Sequence, residues 1–139
     1  MLTYTPKEDE LNFSRIFFLC VLLLLLALPL ASAQTKIPEE ISERLLVCPG
    51  SQITKIQKND LGGGRFLYDI DLLAKDRPYD SVVDFYRNET QKRGWKIFRD
   101  VDLGQSYMLM CHDGHYKIDI SLLSKEKGIP IRVSMEKQR

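Results

Sequence analysis

The sequence predicts an α+β fold: an antiparallel sheet of about six strands with one principal helix packed on one face, in the order β-β-α-β-β-β-β and preceded by a short N-terminal helix. Three observations lead there. Residues Arg65 to Lys75 alternate apolar and polar side chains, the mark of a half-buried strand. The run PYDSVVDFYRNETQKRG sets Tyr79, Val82, Val83 and Tyr86 at helical spacing between Pro78 and Gly94. From Trp95 onward, short alternating segments are separated by turn residues, without a second long helical pattern.

Ahead of the fold lies an apolar run, Ile16 to Leu30, that carries no charge and is followed by Ala31-Ser32-Ala33. Small residues in that pattern suit a signal peptidase, and Pro29 breaks the helix where cleavage needs it, so residues 1–33 read as a secretory signal cleaved before Gln34. The preceding leader carries Glu8, Asp9 and Glu10 beside Lys7 and Arg15, whereas an ordinary signal leader is positive. Residues 16–33 also approach the roughly 20 that a membrane helix needs, so an uncleaved N-terminal membrane anchor is the alternative. Cys20 lies inside the apolar run after Phe18-Leu19 and lacks the small residue that a lipidation site wants before its cysteine. Either way the rest of the chain is exported: periplasmic or secreted after cleavage, or held at the membrane by one helix.

Residues 34–47 form a short linker and helix, in which Pro38 to Leu46 has an acidic first turn and apolar Ile41, Leu45 and Leu46. Cys48-Pro49-Gly50-Ser51 stops it, and residues 48–139 make the α+β domain. Ser51 to Lys58 and Arg65 to Lys75 are expected strands, joined by a turn over Asn59 to Gly64. In the second, Phe66, Tyr68, Ile70 and Leu72 take the buried face and Asp69 and Asp71 point to water. After the helix, strands are expected at Trp95 to Val101, Ser106 to His112, His115 to Ser124 and Ile129 to Glu136.

Pro49-Gly50-Ser51 before the first strand, Val82-Val83-Asp84-Phe85-Tyr86 in the helix and Arg93-Gly94-Trp95 after it together resemble a recurring domain of small exported bacterial proteins of uncharacterised function. The similarity covers Cys48 to Phe98 and extends to the last strands by pattern. It implies an envelope-associated α+β domain and brings no catalytic residues with it.

Composition excludes some partners. Lys and Arg number 20 against 19 Asp and Glu, a net charge of +1, too balanced for nucleic acid as the main partner. Arg87, Lys92, Arg93, Lys96 and Arg99 are interleaved with Glu89 and Asp100 and read as a solvated helix end. Cys48 and Cys111 are an even pair in an exported chain, which makes them the candidate disulfide; a bridge over so long a loop would stabilise the fold by about 3–4 kcal/mol.

The stretch YMLMCHDGHYKIDIS concentrates the remaining chemistry. Asp113-Gly114 is a two-residue turn signal, because type I′ turns need positive φ at both central positions. That register pairs His112 with His115, Cys111 with Tyr116, Met110 with Lys117 and Met108 with Asp119, and puts Tyr107, Leu109, Cys111, Tyr116, Ile118 and Ile120 on the core face. The opposite face then collects Met108, Met110, Lys117 and Asp119 as a candidate interaction face, with His112 and His115 as candidate metal ligands for copper or zinc.

Weaker motifs carry less. Gly62-Gly63-Gly64 lacks the Gly-Lys-Ser/Thr and helix of a phosphate loop, and neither a nucleophile elbow nor a Cys-x-x-Cys pair is present. No motif requires a cofactor. The sequence therefore points to an exported, non-enzymatic domain that binds an envelope protein or peptide, or a second copy of itself, through the open sheet face. Periplasmic metal handling through the His/Met patch is the alternative.

Overall fold

The computed structural model describes residues 35–138; the signal or anchor expected within residues 1–33 lies outside them. The elements are α1 (Glu39–Ser42), β1 (Ser51–Gly62), β2 (Arg65–Ala74), α2 (Tyr79–Lys92), β3 (Lys96–Asp102), β4 (Ser106–His112), β5 (Tyr116–Leu123) and β6 (Ile129–Lys137). The six strands form one open sheet in the order β1-β2-β6-β5-β4-β3, every neighbouring pair antiparallel. No helix among the described residues is long and apolar enough to cross a membrane.

Alternation decides which face is covered. In β2 the buried residues are Tyr68, Ile70, Leu72 and Ala74, and β4, β5 and β6 add Tyr107, Leu109 and Cys111, Tyr116 to Leu122 at every second position, and Ile129 to Met135 likewise. Helix α2 lays Val82, Val83, Tyr86 and Thr90 on that face. Its start at Tyr79 follows Pro78, whose fixed φ suits a helix entry, and Gly94 at φ +68 lets the chain turn out. The Trp95 amide donates to the Thr90 carbonyl at 3.1 Å and the Arg93 guanidinium lies 5.4 Å over the indole, so Trp95 packs beside the helix end.

The segment before β1 is a structural part of the core. Only Glu39–Ser42 is helical, yet Ile41, Leu45, Leu46 and Cys48 are all buried. The expected helix over Pro38 to Leu46 stops early, and Leu45, Leu46 and Cys48 join the same core as α2, on the same face of the sheet. The Tyr86 hydroxyl, buried under the helix, donates to the Leu46 carbonyl at 3.3 Å and ties the two coverings together.

Two hairpins differ from the expected turns. Strand β1 runs through Asn59 to Gly62, and the turn is Gly63-Gly64 alone, with φ of +62° and +76° as type I′ requires. A bulge between Asp60 and Gly62 absorbs Leu61. In the β4–β5 hairpin the register is Cys111 opposite Ile118 and His112 opposite Lys117, one turn position further along than Asp113-Gly114 would give. The central residues are Gly114 and His115, with positive φ at Gly114 alone. The cause is the Asp113 carboxylate. Its Oδ1 accepts the His115 and Tyr116 amides at 2.8 and 2.6 Å while Oδ2 pairs with Arg44 at 2.8 Å, which holds Asp113 at the edge of the turn. The shift is even in pairing register, so the core face keeps the residues expected there.

Candidate functional site

The uncovered face of the sheet is mostly a mesh of paired polar groups. On β2, Asp69 accepts from Asn59 Nδ2 at 3.1 Å and from Ser134 Oγ at 2.8 Å, and Asp71 accepts from Arg132 Nε at 3.0 Å. These carboxylates are the wet face of a strand, cross-linked to its neighbours.

Toward β3 the face changes character. Val101, Leu103, Met108 and Leu123 are 40, 75, 42 and 45 % exposed and lie together where β3, β4 and β5 meet. A shallow hollow of about 260 Å³ opens there, lined by Arg99, Val101, Leu103, Met108 and Ser121 among others. The register fixes two rows across the three strands: Arg99, Met110, Asp119 and Val101, Met108, Ser121. A third row follows at the turn, where the Leu103 amide donates to the Ser106 carbonyl at 2.9 Å and Ser106 faces Leu123.

The expected interaction face of Met108, Met110, Lys117 and Asp119 is thus one surface, with two corrections of pairing. Met110 stands opposite Asp119 rather than Lys117, and Met108 opposite Ser121 rather than Asp119. Lys117 and Asp119 pair along their own strand at 3.3 Å. Asp119 Oδ1 is shielded from water and has no donor among the described residues. Arg99 makes no ion pair among the described residues; its Nη1 meets only the Met108 sulfur, at 3.9 Å. Sequence reasoning missed Val101, Leu103 and Leu123, because alternation alone places apolar residues on the core face and these three lie on the other.

Strand β3 is an edge strand, and its other side chains are what fix it. Asp100 accepts two bonds from Arg87 of α2, Nε to Oδ2 at 2.8 Å and Nη2 to Oδ1 at 2.9 Å. The Arg87 guanidinium holds the Asp100 carboxyl below its ordinary range, and the same pairing raises Arg87. The Tyr79 hydroxyl donates to Asp102 Oδ1 at 3.0 Å, and burial with that bond pushes Tyr79 up to about 12. Both β3 carboxylates are therefore engaged by the helix side, while Arg99 is left on the open side.

The expected pairing of His112 with His115 is not the one found. His112 stands opposite Lys117, and His115 sits in the turn. His112 Nδ1 accepts the Gly114 amide at 2.9 Å, which occupies that nitrogen's lone pair. No group of three His, Cys, Asp or Glu suited to a metal ion is found among the described residues.

Cys48 and Cys111 are both buried and unbridged. The Cys48 sulfur meets Pro49 O at 3.8 Å and Arg77 Nη1 at 3.9 Å, beyond the end of β2, whereas Cys111 donates to the Ile118 carbonyl on β5 at 3.7 Å. Strand β6 stands between β2 and β5 in the sheet, so the two sulfurs are held by separate elements. Burial raises the Cys48 thiol and pushes Cys111 up to about 12. A scan of protein-family models finds none that matches the chain, and a search of curated proteins finds no significant match.

Proposed function

We propose that this chain is an exported, non-enzymatic envelope domain that works by binding a protein or peptide through the open face of its sheet at the β3–β4–β5 corner. The observation that carries the reading is the clustering of Val101, Leu103, Met108 and Leu123 on that corner, next to an Arg99 without an acidic partner among the described residues. Scattered exposed apolar residues need no explanation; several on one patch, with methionine among them and a charge at the rim, have the composition of a contact surface. Export, from the apolar run and Ala31-Ser32-Ala33, and the likeness to small exported bacterial domains belong to the same reading, as does the order of the elements with a short helix ahead of the sheet.

Photo-crosslinking in the native host tests it. A photoreactive residue at position 108 is expected to give a discrete cross-linked species, and one at position 92 on the exposed side of α2 is not. Cross-linking at neither position, or equally at both, would remove the β3–β4–β5 corner from consideration.

A further inference from the structure

We infer that the β3–β4–β5 corner is self-complementary, and that its occupant is a second copy of this chain packed sheet to sheet about a two-fold axis running along β4. The inference rests on the reading of this corner as a binding surface and adds the identity of the partner. A two-fold interface requires that whatever residue i offers to residue j, j offers back to i. For two stacked sheets with the axis along β4, each β3 residue of one copy faces the β5 residue that shares its row in the other.

The rows satisfy that requirement. Arg99 and Asp119 flank Met110, so the axis sets Arg99 of each copy against Asp119 of the other. Arg99 makes no ion pair among the described residues, and the half-exposed Asp119 carboxylate is engaged only by Lys117. Val101 faces Ser121 beside a Met108 pair, and Leu103 faces Leu123. Met108 against Met108 and Leu103 against Leu123 bring apolar groups together at the exposed end, with Val101 against the small Ser121, and opposite charges meet at the other.

The overlap also has a limit. The next row, Lys96, His112 and Lys117, would oppose lysine to lysine, so contact ends at the Arg99 row. Three strands and three rows cover about 15 by 15 Å, with aligned sheets about 10 Å apart. That is below the size of a standard stable interface, so the dimer is weak and forms at about 10–100 μM and above.

Sedimentation of the purified protein, alone and in mixtures, decides the matter. Wild type is expected to shift from monomer to dimer as concentration rises. Arg99→Glu and Asp119→Lys are each expected to weaken association about tenfold or more, since each sets like charges opposite one another twice per dimer. Mixing the two variants restores opposite charges at both contacts, and association is expected to return to within about threefold of wild type. Because only a contact carrying both charges is rescued by mixing, association through any other part of the chain does not mimic the result. A wild-type monomer up to about 1 mM, a dimer indifferent to the reversals, or a mixture without rescue overturns the inference. A wild-type monomer that still cross-links from position 108 to another protein overturns self-association and leaves the binding reading standing; a monomer without that cross-link ends both.

Discussion

Gly128, in the turn between β5 and β6, leaves no room for a side chain. Its φ is +121°, and a Cβ built on it would lie 2.9 Å from the Ala74 carbonyl oxygen and 3.2 Å from Leu73 Cδ1. Ala74 is fully buried and stands opposite Ile129 at the start of β6, so the obstructing atom belongs to a paired strand rather than to a mobile side chain. Gly128→Ala therefore combines about 1–3 kcal/mol of backbone strain with about 1–3 kcal/mol of overpacking. Gly62 separates the two effects, because its φ is +79° and nothing lies within 4 Å of its Cβ position. Gly62→Ala is expected to lose about 1–2 kcal/mol, from conformation alone. Urea unfolding followed by circular dichroism reads both: a loss of about 3 kcal/mol lowers the midpoint by roughly 2 M, and Gly128→Ala should fall well below Gly62→Ala. Equal midpoints for the two variants would mean that the Ala74 contact relaxes at no cost, and would refute the reasoning.

Other consequences are as direct. Asp113→Ala leaves the His115 and Tyr116 amides and Arg44 without their acceptor, and is expected to lose about 2–4 kcal/mol by urea unfolding, more than Arg44→Met. For Arg87→Met the sign follows from Asp100. Its folded-state pKa is lowered by Arg87, so the pair stabilises the fold at neutral pH and the contribution fades as pH falls below the ordinary value of 3.8. Wild type should exceed the variant by about 1 kcal/mol at pH 7, and the gap should close in acid; a gap independent of pH would show that the ion pair is not its source. Cys48 and Cys111 should resist alkylation in the folded protein and react on unfolding without any reductant, as mapped by peptide mass; a need for reductant would mean a bridge. One equivalent of zinc or copper should leave the His112 and His115 NMR signals in place, and coincident shifts of both would restore the metal site.

Much of this architecture could be read from the chain. The alternation of Tyr68, Ile70 and Leu72 marks a strand with one buried face, and Pro78 and Gly94 bracket α2 to within a residue. The core face of the β4–β5 hairpin survived an error in its turn because pairing registers that differ by two preserve parity. What failed was what depends on distant partners. Asp113 behaves as a turn centre in isolation, and only Arg44, far away in sequence, shows why it is held beside the turn instead. Leu45, Leu46 and Cys48 lose the helix expected of them because the core they share with α2 is a better place for their side chains than a short helix face. The apolar corner was half legible: alternation along β4 and β5 turns Met108 and Leu123 outward, but Leu103 lies beyond the end of β3 in a turn, where periodicity carries no information about facing.

The place of β6 bears on when this protein can become itself. It is the last described strand in sequence and the third in the sheet, clasped between β2 and β5. Until it arrives, β1 and β2 form one hairpin, β3 to β5 form a separate ribbon, and α2 bridges two pieces that share no hydrogen-bonded seam. A chain delivered from its N-terminus stays unsealed until β6 has emerged. On the proposed export, that delay keeps the domain threadable until β6 arrives.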